Sequence, residues 1–249
     1  MFASSFVKRV TVGSGDAWSS LDPTITHLTV NSSCLNELST MSLNRLIALK
    51  ELVIGDNSLN RVNDVKLDRL NQLELVDIGS DSFKNSDSNS ELVVRGCSAL
   101  RSVTLGANSF ASFGVMEIER VPLLEELSVG DGCLKNVNAL SLSGLSGLKR
   151  VVVGSNSFRQ VDGGSNHLFV KNCGVLKSVK IGDDSFVHFG VIEIESVPSL
   201  EELVMGDSCF SAVSFELKDL PKLKTIRFGS EVMKNCEHVV FESACCGVL

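Results

Sequence analysis

Apolar residues recur along this chain in a fixed comb. LKELVIGDNSL (49–59), LELVDIGSDSF (73–83), LRSVTLGANSF (100–110), LEELSVGDGCL (124–134), LKRVVVGSNSF (148–158), LKSVKIGDDSF (176–186), LEELVMGDSCF (200–210) and LKTIRFGSEVM (223–233) all begin with Leu, carry apolar residues three and five positions later, and then place a glycine. Those glycines are Gly55, Gly79, Gly106, Gly130, Gly154, Gly182, Gly206 and Gly229, at intervals of 24, 27, 24, 24, 28, 24 and 23 residues. ITHLTVNSSCL (25–35) fits the frame with Asn31 in the glycine slot, and VKRVTVG (7–13) is a degenerate copy. Alternating apolar and polar positions inside each comb predict a short strand. A repeat of this period predicts coils stacked one on the next.

Between the combs lie VKL (65–67), VMEIE (115–119), ALSLS (139–143), HLFV (167–170), VIEIE (191–195) and FELK (215–218). These also alternate and carry β-branched residues, so a second strand is predicted here, with little or no helix. Each coil of ~24 residues then gives one strand to each of two parallel β-sheets of matched spacing, which predicts a nearly straight, twisted rod. About ten coils at ~4.8 Å make that rod roughly 45–50 Å long. Residues 1–249 read as a single solenoid, with a degenerate N-terminal coil at about 1–24 and an incomplete C-terminal coil at about 238–249. Residues 106–134 match 182–210 at 18 of 29 positions, an offset of 76, which points to a duplicated three-coil block. Its longer loops, KNSDSNS (84–90) and RQVDGGSN (159–166), are predicted to project from one side.

The comb reads L-x-x-L-x-L-x-x-N-x-L. Asn57, Asn108 and Asn156 fill the Asn slot, Asp81 and Asp184 are near-isosteres there, and the last slot is Leu, Phe or Met throughout. This template resembles the leucine-rich-repeat family over nearly the whole chain. The Phe-rich ending and the IG-x-x-SF flavour are most similar to the divergent repeats of protist and bacterial surface-antigen-like (BspA-like) proteins. The resemblance implies a predominantly β leucine-rich-repeat solenoid. It also implies a surface that binds proteins, or else a structural, adhesive segment of a larger surface protein.

Composition narrows the partners. The net charge is −7 and the basic residues are scattered, which argues against a nucleic-acid partner. With no tyrosine and a single tryptophan, Trp18, the amphipathic aromatics that anchor interfaces or stack on sugars are nearly absent. No apolar run reaches the ~18 residues of a membrane helix, and MFASSFVKRVTVGSGDAW lacks the apolar core of a secretory signal. A cytoplasmic, reducing location is expected, with the cell surface as the alternative if the chain is a fragment of a longer protein.

The ending ESACCGVL has the form of a prenylation signal, with Cys246 as the acceptor and Cys245 as a second, palmitoylated site. The repeat supplies another explanation. CGVL recurs at Cys173–Leu176, where it leads into a comb, and Cys97 likewise stands three residues before Leu100. That slot otherwise holds Leu46, Leu70, Val121, Leu145, Val197 and Leu220, so cysteine serves there as a small apolar residue. Cys34, Cys133 and Cys209 share the slot three after the glycine with Ser58, Ser82, Ser109, Ser157 and Ser185. Cys236 takes the slot of Val62, Val137, Val161 and Val213. Buried structural thiols are expected, not a disulfide framework or a zinc site. By this register Leu249 opens a coil that is not completed, so an end-to-end contact through the incomplete C-terminal coil is expected.

Catalytic chemistry finds no foothold. His27, His167, His188 and His238 fall in separate coils, and no nucleophile, phosphate-cradle, dinucleotide or metalloprotease motif occurs. Asp56, Asp131, Asp183 and Asp207, each following a repeat glycine, are read as turn residues bonding their own backbone rather than as calcium ligands. Glu117/Glu119 and Glu193/Glu195 lie on one face of a strand, without a partner base or a sugar platform. No enzyme activity, cofactor or metal is expected. The column Lys50, Glu74, Arg101, Glu125, Lys149, Lys177, Glu201 and Lys224 predicts a charge ladder. The next outward column, Val53, Asp77, Thr104, Ser128, Val152, Lys180, Val204 and Arg227, is the candidate binding face, beside a shallow track left open by the glycines. These features predict a non-enzymatic scaffold whose protein ligand lies along that face.

Overall fold

The combs form strands, and the strands stack in register. In the computed structural model, which describes residues 7–159, 166–210 and 214–242, they build one unbroken ten-stranded parallel sheet. Numbered in chain order, its strands are β1 (Arg9–Val12), β2 (His27–Val30), β3 (Glu51–Ile54), β5 (Leu75–Ile78), β7 (Ser102–Leu105), β9 (Glu126–Val129), β11 (Arg150–Val153), β13 (Ser178–Ile181), β15 (Glu202–Met205) and β17 (Thr225–Phe228). The opposite face carries β4 (Asp64–Asp68), β6 (Glu91–Arg95) and β8 (Val115–Glu119) as one sheet. A second sheet there holds β10 (Ala139–Ser143), β12 (His167–Lys171), β14 (Val191–Glu195), β16 (Ser214–Lys218) and β18 (His238–Glu242). The result is a predominantly β, parallel solenoid of about nine turns with almost no helix.

The core is a continuous column. Leu49, Leu73, Leu100, Leu124, Leu148, Leu176 and Leu200 are fully buried and belong to one hydrophobic cluster with the inward residues of both faces. Each such side chain contributes about 1.5–3 kcal/mol by leaving water. Phenylalanines add a stack within it. Phe83 lies on Phe110 and Phe158 on Phe186, both at 4.6 Å between ring centres, while Phe113 and Phe189 meet the stack edge-on.

The turn after each first-face strand explains the comb's last slots. Two residues per turn have left-handed backbone. One is the Asn slot, where Asn57, Asp81, Asn108, Asn156 and Asp184 have φ of 54–58°. Asparagine and aspartate tolerate that region, and the exposed Asn57, Asn108 and Asn156 show that backbone conformation, not burial, selects them. The other is the final slot, where Leu59, Phe83, Phe110, Leu134, Phe158, Phe186, Phe210 and Met233 have φ of 53–58°. Bulky residues seldom adopt this conformation, and β-branched ones least of all. The slot accordingly holds Leu, Phe or Met and never Val or Ile, and burial of the side chain offsets the strain.

Coils meet at the glycine corner with backbone against backbone. A Cβ at any of the eight repeat glycines would lie 2.5–2.7 Å from a backbone atom of the preceding coil. Hydrogen bonds run through the corner as well. Gly79 N–H donates to the Ile54 carbonyl at 2.7 Å, Asn57 N–H to the Ser80 carbonyl at 2.8 Å, and Phe83 N–H to the Ser58 carbonyl at 3.1 Å. The coil-to-coil ladder therefore continues past the strand and around the turn.

Three features depart from the sequence reading. The second face is not one sheet: between β8 and β10 the ladder is broken. Elsewhere the left-handed residue after each second-face strand donates its N–H to the next coil, as Gly96 does to Glu119 and Ser196 to Lys218, but no such bond joins Arg120 to Ser143. In the duplicated block the equivalent pair, β14 and β16, is joined in register, with Phe215 and Lys218 where β10 has Leu140 and Ser143. At the break Glu117 and Glu119 face only serines across the gap and turn back to Arg95, at 2.6 and 3.3 Å. The second face also begins late. In the first coil its place is taken by α1 (Gly15–Ser19), capped by Ser14 and buried at Trp18, and residues 36–48 form no strand. Finally, β6 and β18 lie outside the predicted second-face segments: the consecutive apolar residues Leu92, Val93 and Val94, and Val239, Val240 and Phe241, break the alternation.

The loop 84–90 is organised by buried Asn85, which donates to the Val62 carbonyl and accepts from Asp87 N–H, both at 2.8 Å, and from the Ser90 hydroxyl at 3.1 Å. Most of the matching loop, 160–165, lies outside the described residues.

Gly106→Ala is expected to destabilise the protein by about 1–3 kcal/mol, since its Cβ would enter the Gly79–Ser80 backbone. Gly174→Ala, with nothing within 4 Å of the added atom, is expected to stay within about 0.5 kcal/mol of wild type. Denaturant midpoints measure both.

Candidate interaction face

The predicted binding column is continuous. Register pairs Val53 with Asp77, Asp77 with Thr104, Thr104 with Ser128, Ser128 with Val152, Val152 with Lys180, Lys180 with Val204, and Val204 with Arg227. Thr11 and Thr29 extend the column through β1 and β2. These side chains alternate with core residues along each strand, so all of them stand on the outer surface of the ten-stranded sheet. Most are half-buried by their neighbours, and Asp77 and Arg227 are exposed.

The open glycine track is not there. The space beside each glycine is filled by the backbone of the neighbouring coil, so the glycines permit close stacking and leave no groove. What sequence reasoning missed is the parallel outward column two residues earlier, which includes Glu51, Glu126, Arg150, Ser178 and Glu202. Its signal was in the sequence, since period two places both columns on one face. Glu202 joins the two, pairing with Lys180 at 2.9 Å and accepting from the Ser178 hydroxyl at 3.1 Å. The Lys180 ammonium holds the Glu202 carboxyl below the usual carboxylate range.

The charge ladder forms in part. Lys50 meets Glu74 at 3.7 Å, Arg101 and Lys149 clasp Glu125 at 2.7 and 2.6 Å, and Lys224 meets Glu201 at 3.0 Å. Hydrogen bonds from Lys149 and Arg101 lower the affinity of Glu125 for a proton. On the opposite face the duplicated block repeats one motif, a cation between two glutamates. Arg95 lies between Glu117 and Glu119, and Lys171 between Glu193 and Glu195, at 2.5 and 3.7 Å. Both glutamate pairs are thus held by ion pairs.

The aspartates after the glycines and the cysteines have structural partners. Asp56, Asp131, Asp183 and Asp207 do not bond their own turns. Each carboxylate accepts the N–H one coil further on, from Ser80, Ser155, Asp207 and Ser230, at 2.6–2.8 Å. Beneath them runs a buried hydroxyl ladder. The Ser82 hydroxyl donates to the Gly55 carbonyl at 3.0 Å and accepts Ser58 N–H at 3.1 Å, and Ser157 and Ser185 repeat the pattern. Cys133 and Cys209 stand in the same ladder, their thiols donating to Gly106 and Gly182 at 3.1 Å. Among the described residues no group of His, Cys, Asp and Glu could hold a metal ion, and no disulfide joins the described cysteines. Cys245 and Cys246 lie outside the described residues.

Two surface depressions accompany the faces. A cleft of about 490 Å³ marks the break in the second face, between Glu117 and Glu119 on one side and Ala139, Ser141 and Ser143 on the other. A shallower, mainly apolar groove of about 530 Å³ crosses three turns at Gly174, Pro198 and Pro221. In the first, Glu117 and Glu119 share the cleft with the Ser141 and Ser143 hydroxyls and are held by Arg95; Asn172, Ser196 and Asp219 also line the second. Comparison with family models, with curated proteins and with solved structures finds no match to this chain.

Burial pushes the thiols of Cys133 and Cys209 up to about 11 and raises those of Cys97 and Cys173. A raised thiol holds less thiolate at pH 8, and thiolate is the reactive form. These four are expected to resist alkylation of the native protein at pH 8 while half-buried Cys34 and Cys236 react, and all six are expected to react in denaturant. Peptide mass mapping reads this out. Native labelling of Cys133 as fast as Cys236 would contradict its place in the ladder.

Proposed function

We propose that this chain is a non-enzymatic leucine-rich-repeat scaffold that binds a protein partner along the ten-stranded face. One observation carries the proposal. A single column runs the length of the sheet with its chemistry changing rung by rung: Val53, Asp77, Thr104, Ser128, Val152, Lys180, Val204 and Arg227. Its eight rungs are seven steps of ~4.8 Å, roughly 34 Å of contact surface, enough for an extended segment or a domain edge. The outer face of an open sheet is not a concave pocket, and extended surfaces of varied chemistry suit protein partners better than small molecules. The resemblance of the comb to leucine-rich repeats agrees with this role. The thiols of Cys97, Cys133, Cys173 and Cys209 and the carboxylates of Asp56, Asp131, Asp183 and Asp207 are engaged with the backbone of adjoining coils.

The test is proximity cross-linking in the source cells with the wild-type chain and with Val53→Asp, Val152→Asp and Val204→Asp combined. These residues face outward, so the fold is expected to survive, as circular dichroism will show. Partners on this face are expected to fall at least ~tenfold, because central apolar contacts carry most binding energy. Full retention of every cross-linked protein by the folded variant would refute the assignment.

A further inference from the structure

We propose that the C-terminal end of the solenoid is a self-complementary interface on which a second copy of this chain docks tail to tail. The two ends of the column differ. At the N-terminal end Val12 of β1 is fully buried, and Trp18 of α1 joins the same core. Among the described residues β1 ends its sheet at one side just as β17 and β18 end theirs at the other, so the ends differ not in pairing but in how far their core positions are covered.

Among the described residues, core positions stand open at the C-terminal end. Val239 and Phe241 occupy the register of Phe215 and Leu217, which are 0% exposed, yet are themselves 48% and 45% exposed. Phe228 occupies the register of buried Met205 and is 37% exposed. Three large apolar side chains and two unpaired strand edges therefore share one surface. Native proteins rarely leave such an edge unprotected, and repeat arrays close their ends with polar residues.

The sequence of β18 selects the occupant. A two-fold axis normal to the sheets sets β18 antiparallel to its copy, which extends the sheet without an open ladder. Centred on Val240, HVVFE then pairs with itself. His238 faces Glu242 of the copy and Glu242 faces its His238, both on the outer surface. Val239 faces Phe241 of the copy on the core side, so apolar meets apolar and imidazole meets carboxylate. A head-to-tail arrangement would instead set the open end against the closed one. It would leave β18 without a strand to pair with, because α1 stands where the second face of the first coil would be. The tail-to-tail geometry is closed and stops at two chains.

Light scattering on the full 249-residue chain, with reductant present, tests the proposal. The expected mass is twice the chain's 26.8 kDa. Val239→Asp with Phe241→Asp is expected to give the single-chain mass with an unchanged β-sheet dichroism spectrum. His238→Glu sets like charges opposite one another and is expected to weaken the dimer at least ~tenfold, and adding Glu242→Lys is expected to restore it. A single-chain mass for the wild type at ~100 μM, where even a ~10 μM homodimer is mostly assembled, would overturn the proposal and point to residues 243–249 as the cover. Masses growing beyond two chains, or a dimer indifferent to all these substitutions, would overturn it equally.

Discussion

Adjacent coils of this protein touch through their backbones at the glycine corner, and that approach constrains everything around it. Parallel strands stand ~4.8 Å apart. Keeping that spacing around a turn leaves no room for a Cβ, as the 2.5–2.7 Å distances at all eight repeat glycines show. A turn packed this closely buries peptide groups, and buried peptide groups need partners. The chain supplies them from three sources. Main-chain bonds alternate in direction, the serine and cysteine ladder runs inside, and the Asp carboxylates reach forward to the next coil. The two left-handed residues in each turn aim successive peptide groups at the coils before and after.

This arrangement bears on function because it uses up reactive groups. Four thiols and four carboxylates that could have served as metal ligands or nucleophiles bond instead to backbone groups of adjoining coils. The second-face glutamates are held in cation-centred triplets. The described residues also present an outer sheet face, a broken second face and strand edges at both ends. Each presents side chains whose spacing is set by the coil repeat.

Much of this was legible in the sequence, because a period read along the chain becomes a register across it. The comb located all the first-face strands, and the alternating segments located β4, β8, β10, β12, β14 and β16. The cysteine slots followed from aligned repeats, and so did the columns of Val53 and Lys50. Features that depend on a contact between particular neighbours were hidden. The break between β8 and β10 turns on what Glu117 and Glu119 face across the gap, and a period cannot show that. The carboxylates after the glycines read as bonding their own turns because sequence gives the local partner first, whereas their N–H donors stand one coil further on. The glycines looked like empty space for the same reason, since the backbone that fills it comes from ~24 residues earlier in the chain. Among the final-slot residues, the missing β-branched side chains were visible but carried no meaning until the positive φ explained them.

Hydrogen exchange of individual amides tests the central claim most directly. If the turns are part of the coil-to-coil ladder, the N–H groups of Ser58, Ser82, Asn108, Asn156 and Ser157 will exchange as slowly as those of Val76, Val103 and Val151 in the adjoining strands. Turn amides exchanging at the rate of exposed loops, beside protected strands, would mean that the coils touch only along their sheets and that the glycine corner does not hold them together.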